Sequence, residues 1–209
     1  MGQIIEFPGK APKFGFKRVG RRSKSVEDPA QLNLFSQPTA QILDLVLKSG
    51  SFGQALLWDE RGDSKAGELY RKAIEEGDCV ADAYCNLGII ESQQANTARA
   101  FDCFTSALKN NPRHFEAHYN LGNLYFDAND FRLAQLHYEL AAEVEPSFPN
   151  VHFNLALIRA INDDRAGAAD ALNNYQQLVS KEEGRNAEEL LSNLKRSLAT
   201  ARSSRIGPA

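Results

Sequence analysis

The sequence of 209 residues predicts an all-α fold, an α-solenoid in which helix hairpins stack side by side. Its period is visible at Asn86, Asn120 and Asn154, which are separated by two steps of 34 residues and are each followed by leucine. A fixed period of this length is typical of stacked repeat arrays. Within each period, two apolar stripes at helical spacing are separated by a short polar turn, which indicates a helix hairpin.

Four repeats are predicted over residues 39–182. Residues 81–114 and 115–148 align without gaps, and each closes on an Asn-Pro or Glu-Pro step. A degenerate copy precedes them at about 50–80, and another follows at 149–182, where Ala156 takes the place of the repeat's glycine. A single hairpin of this kind cannot bury its own apolar face, so neighbouring hairpins must stack.

The clean repeats carry a glycine, Gly88 or Gly122, inside a predicted helix, where alanine would be about 1 kcal/mol more favourable. We interpret this glycine as a contact point between packed helices. Small residues at Ala134 and Ala141 would allow the same close approach, while Tyr138 fills the space between the helices.

The two ends of the chain differ from the array. Residues 1–38 are predicted to be a basic, largely irregular and disordered tail, because residues 1–28 hold seven Lys or Arg against three acids. Residues 186–203 place leucines on one face only and are predicted to form a C-terminal capping helix. Such a helix gives the end of a solenoid a polar outer face.

In residues 115–148, the order Leu-Gly, Tyr, Ala, aromatic, Ala, Pro resembles the tetratricopeptide repeat. The matching residues are Leu121, Gly122, Tyr125, Ala134, Tyr138, Ala141 and Pro146. The resemblance implies a right-handed superhelix whose hollow is lined mainly by the first helix of each repeat. It also implies a non-enzymatic module that binds other proteins.

The candidate binding residues are those that the register places in this hollow. In some tetratricopeptide proteins an asparagine ladder grips the backbone of an extended peptide, and the resemblance carries this role to Asn86, Asn120 and Asn154. A carboxamide suits the task because it offers both donors and an acceptor. The alternative, that these asparagines satisfy only local backbone groups, stays open. The other predicted groove residues are Tyr119, Asn123, Ile89, Phe153 and Leu157, and Gln93 is a further inward place.

The charge of the hollow indicates the kind of peptide that would fit it. The inward places of the two clean repeats hold no Lys or Arg, so a clamp for an acidic peptide end is not supported. Residues 29–180 hold eleven basic and twenty acidic residues, and the hollow is therefore expected to be mildly acidic with aromatic patches. A neutral or basic peptide with an apolar anchor suits such a surface.

The sequence shows no catalytic or metal-binding motif, so we predict no enzyme activity, no cofactor and no metal. Four histidines lack a spacing that would gather them with acids or cysteines, and His118 and His152 are expected to be packing residues. Three cysteines without CxxC spacing support neither a disulfide framework nor a zinc site.

The leading functional hypothesis is therefore a cytoplasmic adaptor or scaffold that binds a peptide segment of a partner protein. An alternative makes the chain an accessory in nucleic-acid transactions, with the basic tail on nucleic acid and the repeats recruiting a protein. Self-association through the ends of the stack is a third possibility. A membrane partner is not expected, because no apolar run approaches the roughly 20 residues of a spanning helix. The sequence leaves open whether the tail enters the hollow.

Overall fold

The computed structural model describes residues 15–20, 50–185, 187 and 192. These residues form eight α-helices and no strand, which confirms the predicted all-α fold of helix hairpins. The helices are α1 (Ser51–Glu60), α2 (Lys65–Glu76), α3 (Val80–Gln93), α4 (Thr97–Asn110), α5 (Phe115–Asp127), α6 (Phe131–Val144), α7 (Pro149–Ile161) and α8 (Arg165–Leu178). Among the described residues, no helix combines the length and the apolar character needed to cross a bilayer. Of the predicted capping helix, residues 187 and 192 are described and are helical; the rest of it and most of the predicted tail lie outside the described residues.

The chain divides into two compact units. The N-terminal unit is Lys17–Ala117, and the C-terminal unit is His118–Ala209 together with Met1–Phe16. In the N-terminal unit, α1 packs on α2, α2 on α3, and α3 on α4. In the C-terminal unit, α6 packs on α7 and α7 on α8, and α5 lies against α6.

Close contact between helices accounts for the glycine of the N-terminal unit. A Cβ atom added to Gly88 on α3 would lie 2.8 Å from Cε1 of Phe104 and 3.1 Å from Cβ of Cys103, both on α4. Phe104 is fully buried between Ala100 and Ala107, which are buried as well. The predicted role of the glycine as a contact point between packed helices is therefore confirmed.

The C-terminal unit repeats this arrangement one period later. A Cβ atom on Gly122 of α5 would lie 2.5 Å from Cδ1 of Tyr138 on α6. Tyr138 is fully buried, as are Ala134 and Ala141 on either side of it. An aromatic ring thus fills the space that the missing side chain of the glycine leaves open.

The turns of the last three hairpins each contain one non-glycine residue with left-handed backbone. Ala95, Asn129 and Asp163 have φ of 62°, 60° and 59°, and they are separated by the same two steps of 34 residues. Asparagine and aspartate adopt this conformation more readily than alanine, because their short polar side chains form local hydrogen bonds. The next residue caps the second helix in two turns: Asp130 accepts from the Leu133 N–H at 3.1 Å, and Asp164 from the Gly167 N–H at 2.9 Å.

The second helix of each clean repeat ends just before the Asn-Pro or Glu-Pro step, as predicted. Helix α4 ends at Asn110, immediately before Asn111 and Pro112, and α6 ends at Val144, before Glu145 and Pro146. Proline lacks the N–H of a helix and restricts the residue before it, so each helix stops there.

Candidate functional site

All eight residues that the sequence predicts for the groove are buried in the structure, with at most 8% of each exposed. They are Asn86 and Ile89 on α3, Tyr119, Asn120 and Asn123 on α5, and Phe153, Asn154 and Leu157 on α7. Buried carboxamides are almost always hydrogen-bonded. The hydrogen-bond partners of Asn86, Asn120 and Asn154 therefore bear on the predicted role of the asparagine row.

Asn86 holds the backbone of a segment far from it in sequence. Its Oδ1 accepts from the Val19 N–H at 2.9 Å, and its Nδ2 donates to the Val19 carbonyl at 2.9 Å. One carboxamide thus pairs with both backbone groups of one residue, as a neighbouring residue does in an antiparallel ladder. The Val19 side chain is buried, with 1% of the residue exposed. Residues 17–20 therefore lie on the N-terminal unit in the manner of a bound peptide.

Arg18, the preceding residue, makes two side-chain contacts in the same unit. Its Nη1 forms an ion pair with Asp59, at the end of α1, and its Nη2 donates to Oε1 of Gln93 at 3.2 Å. Only 8% of the Asp59 side chain is exposed, so this carboxylate needs a compensating charge. Gln93 and Asn86 are both on α3, and the repeat register predicts that both positions face the hollow.

Tyr70 joins the two contacts. Its hydroxyl donates to Oδ2 of Asp59 at 3.0 Å and accepts from Nδ2 of Asn86 at 3.1 Å. Burial, followed by the negative charge of Asp59, raises the pKa of the Tyr70 hydroxyl, which therefore stays protonated at neutral pH. We refer to Arg18, Val19, Asp59, Tyr70 and Asn86 together as the Asn86 network.

The asparagines of the C-terminal unit contact side chains. Asn154 Nδ2 donates to the Tyr119 hydroxyl at 3.3 Å and to Oδ1 of Asn123 at 3.2 Å. The Tyr138 hydroxyl donates to the same Oδ1 at 2.6 Å. The Nδ2 of Asn123 is buried without a hydrogen-bond partner. Asn120 is fully buried beside this polar cluster on α5.

Two histidines meet across the α5–α6 hairpin, which the sequence analysis did not predict. His118 Nδ1 and His137 Nδ1 are 3.1 Å apart, and Tyr125 stacks on the His137 ring with centroids 5.4 Å apart. His118 and His152 are both buried, as expected of packing residues. Within the described part of the chain, no group of three or more His, Cys, Asp or Glu is arranged to hold a metal ion.

Acidification is expected to weaken the C-terminal unit through His137. Burial, and then the neighbouring His118, lowers the pKa of His137 from 6.5 to about 4. Between these values the unfolded chain binds more protons than the folded chain, so stability present at pH 7 is lost as the pH falls. Because His137 is only half-buried, we discount the shift and expect a loss of about 1–2 kcal/mol.

Urea unfolding at pH 7.5 and pH 5 would measure this effect in the wild-type chain and in His137→Gln. The variant should lose less stability between the two pH values, because glutamine does not titrate. An identical loss in both proteins would contradict the assignment to His137.

The network residues outside α3 were missed by the sequence analysis. Arg18 and Val19 lie in the stretch assigned to the basic tail, and Asp59 and Tyr70 lie in the degenerate first repeat, where the register is weak. The charge pattern nevertheless indicated a contact between the tail and the array, since a basic tail precedes an acidic array in the same chain.

The tetratricopeptide-repeat family matches this chain over residues 85–131 and 119–183. The matched residues include the two clean repeats almost entirely and the degenerate copy after them.

Two curated proteins are similar over 126 residues. The chain is 29% identical to the Protein O-mannosyl-transferase TMTC3 of Mus musculus and 28% identical to that of Homo sapiens. Each alignment covers 54% of this chain and 14% of the relative, so the chain spans a small part of the length of these proteins.

Two solved structures share the fold. The first TPR of Spaghetti (RPAP3), bound to the HSP90 peptide SRMEEVD, matches with a TM-score of 0.51 and 19% identity, over 57% of this chain and 93% of that one. The type III secretion translocator chaperone SycD of Yersinia enterocolitica matches with a TM-score of 0.53 and 18% identity, over 57% and 86%. At these identities the similarity concerns the fold.

Proposed function

Because the chain belongs to the tetratricopeptide-repeat family, whose repeats generally serve as interaction scaffolds, we propose that it is a non-enzymatic adaptor that binds an extended segment of a partner protein. The buried asparagines of the repeats would contact the backbone of that segment. The observation that carries this proposal is the pairing of Asn86 with both backbone groups of Val19, at 2.9 Å each.

The chemistry of this contact supports peptide recognition. A carboxamide that pairs with the N–H and carbonyl of one residue contacts the part of a peptide that does not vary with sequence. Asn120 occupies the place of Asn86 in the next repeat, and Asn154 the place after that. We propose the same role for them, with Tyr119 and Asn123 as polar neighbours. A direct ligand contact of Ile89, Phe153 and Leu157 stays a prediction.

The same contact favours a peptide role for the basic stretch over a nucleic-acid role. Arg18 is engaged by Asp59 and Gln93, so its guanidinium is directed to a protein carboxylate. A phosphate backbone would have to compete with that ion pair.

A reducing compartment such as the cytoplasm fits this role. Cys79, Cys85 and Cys103, which all lie in the described part of the chain, are not joined by disulfides. Burial, and then the charge of Glu91, raises the pKa of the Cys103 thiol to about 11, which keeps it protonated and unreactive. Disulfides are rare in the cytosol, and free thiols of this kind are usual there.

Removing one asparagine of the row is expected to weaken peptide binding. Peptides would be selected from a displayed random library on the full-length chain, and their affinities measured for wild type and for Asn120→Ala. A lost hydrogen bond in a buried site costs about 1–2 kcal/mol, which corresponds to about 5- to 30-fold in affinity.

Asn174→Ala is the matched control, since Asn174 is exposed on α8 and should leave binding unchanged. Circular dichroism would verify that each variant is folded. Unchanged affinity in both Asn120→Ala and Asn86→Ala would remove the asparagines from the binding site.

A further inference from the structure

We infer that Asp59, Tyr70 and Asn86, the receptor side of the Asn86 network, select a partner segment in which arginine is followed by a small β-branched residue, and that residues 17–20 occupy this site in the unbound chain. The inference rests on the proposed function, because it names the ligand of that same site.

The pocket of Val19 limits the size and polarity of its occupant. The residue is 1% exposed, and Asn86 fixes its backbone on both sides of the Cα atom. The register is therefore set, and the side chain at this position must enter the pocket. A larger side chain would overpack it, and a charged one would be buried without a partner. Valine also suits extended backbone, because its branched Cβ restricts χ1 at little cost there.

The contacts of Arg18 distinguish arginine from other residues at the preceding position. One terminal nitrogen pairs with Asp59 and the other donates to Gln93. Lysine has a single ammonium nitrogen and lacks the planar fork that makes both contacts together. The Asp59 carboxylate is only 8% exposed. With a neutral residue at position 18 it would keep its hydrogen bond from the Tyr70 hydroxyl but lose its cation. Such a buried charge is costly without a cation.

Residues 17–20 are connected to the array by residues 21–49 of the same chain. A segment on the same chain competes at an effective concentration of about a millimolar. An external segment then binds only to the fraction of molecules whose site is vacant, which lowers its apparent affinity. A partner with the Arg-Val pattern and additional contacts elsewhere would displace the internal copy.

The competition can be measured with a fluorescent peptide that contains residues 15–21, GFKRVGR, added to the full-length chain. Anisotropy titrations would compare wild type with Val19→Asp, in which the internal segment cannot enter the pocket. We expect the peptide to bind Val19→Asp at least about tenfold more tightly than wild type. Ser23→Asp, which adds the same charge to the tail outside residues 17–20, should bind like wild type.

Selectivity can be measured on the Val19→Asp chain with three altered peptides. Peptides with Arg18→Lys, Arg18→Gln or Val19→Asp should each bind about tenfold more weakly than the unaltered peptide. A second chain variant, Asp59→Asn in the Val19→Asp background, keeps the shape of the receptor but removes its charge. It should bind the Arg and Gln peptides with affinities within about twofold of each other.

Equal binding of the unaltered peptide to wild type and Val19→Asp would show that residues 17–20 do not compete for the site. Equal binding of all four peptides would overturn the selectivity and leave the proposed function standing. A wild-type dimer that dissociates on Val19→Asp substitution, seen by sedimentation, would assign the site to a second copy of the chain and overturn the partner assignment. If Val19→Asp bound neither these peptides nor any library peptide, the proposed function itself would fail.

Discussion

Replacing Gly122 with alanine is expected to lower the free energy of unfolding by about 2–3 kcal/mol. The new Cβ would lie 2.5 Å from Cδ1 and Cε1 of Tyr138, a separation that carbon atoms do not tolerate. The ring has no free space, because Tyr138 is fully buried and its hydroxyl donates to Asn123 at 2.6 Å. The gain of about 1 kcal/mol in helix propensity offsets only part of this strain. Urea unfolding followed by circular dichroism would measure the change.

Gly67→Ala is the matched control for this substitution. Gly67 lies inside α2, and a Cβ there would have Nη1 of Arg71 as its nearest neighbour, at 3.7 Å. This distance is ordinary van der Waals contact, so the variant should gain up to about 1 kcal/mol of stability from helix propensity. A loss of similar size at both positions would mean that close helix contact does not explain Gly122.

Replacing His114 with alanine is expected to destabilise the N-terminal unit by about 2–4 kcal/mol. His114 immediately precedes α5, and its Nδ1 accepts from the Ala117 N–H at 3.1 Å, which caps the helix. Its other ring nitrogen, Nε2, lies 2.9 Å from Oδ1 of Asp82 on α3. The side chain is fully buried, so alanine would leave a cavity and remove both hydrogen bonds. The free energy of unfolding in urea is again the measurement.

His114→Asn separates the two contributions. Asparagine is a good helix cap, so it should keep the bond to the Ala117 N–H, but it is too short to reach Asp82. We expect it to lose about half as much stability as alanine. If asparagine were as destabilising as alanine, the cap would contribute nothing and the contact with Asp82 would account for the effect.

The repeat architecture could be predicted from the sequence because its causes recur at a fixed interval. The same close contact between helices is made in successive hairpins, and it requires a small residue at the same position of each repeat. Gly88 and Gly122 are therefore 34 residues apart. The left-handed turn residues have the same period but were not predicted. Alanine at position 95 carries no sign of that conformation, although Asn129 and Asp163 are residue types that favour it.

The candidate site could be predicted only in part. The residue type and position of Asn86 follow from the repeat, but its partner Val19 lies 67 residues away in a stretch without periodicity. Asp59 and Tyr70 belong to a repeat too degenerate to place in register. The pairing of His118 with His137 depends on the geometry of one hairpin and has no counterpart in the other repeats. Contacts that occur once leave no periodic signal.

The hydroxyl of Tyr70 connects the two contacts that hold Arg18 and Val19. It is hydrogen-bonded both to the Asn86 carboxamide, which holds the Val19 backbone, and to the Asp59 carboxylate, which pairs with the Arg18 guanidinium. Any peptide supplies the backbone groups, so in the proposed binding role discrimination falls on the guanidinium. A segment without it would leave the Asp59 carboxylate buried without a cation, at a cost of about 1–3 kcal/mol. Through one hydroxyl, the contact that any sequence can make is thus held in register with the contact that only some sequences can make.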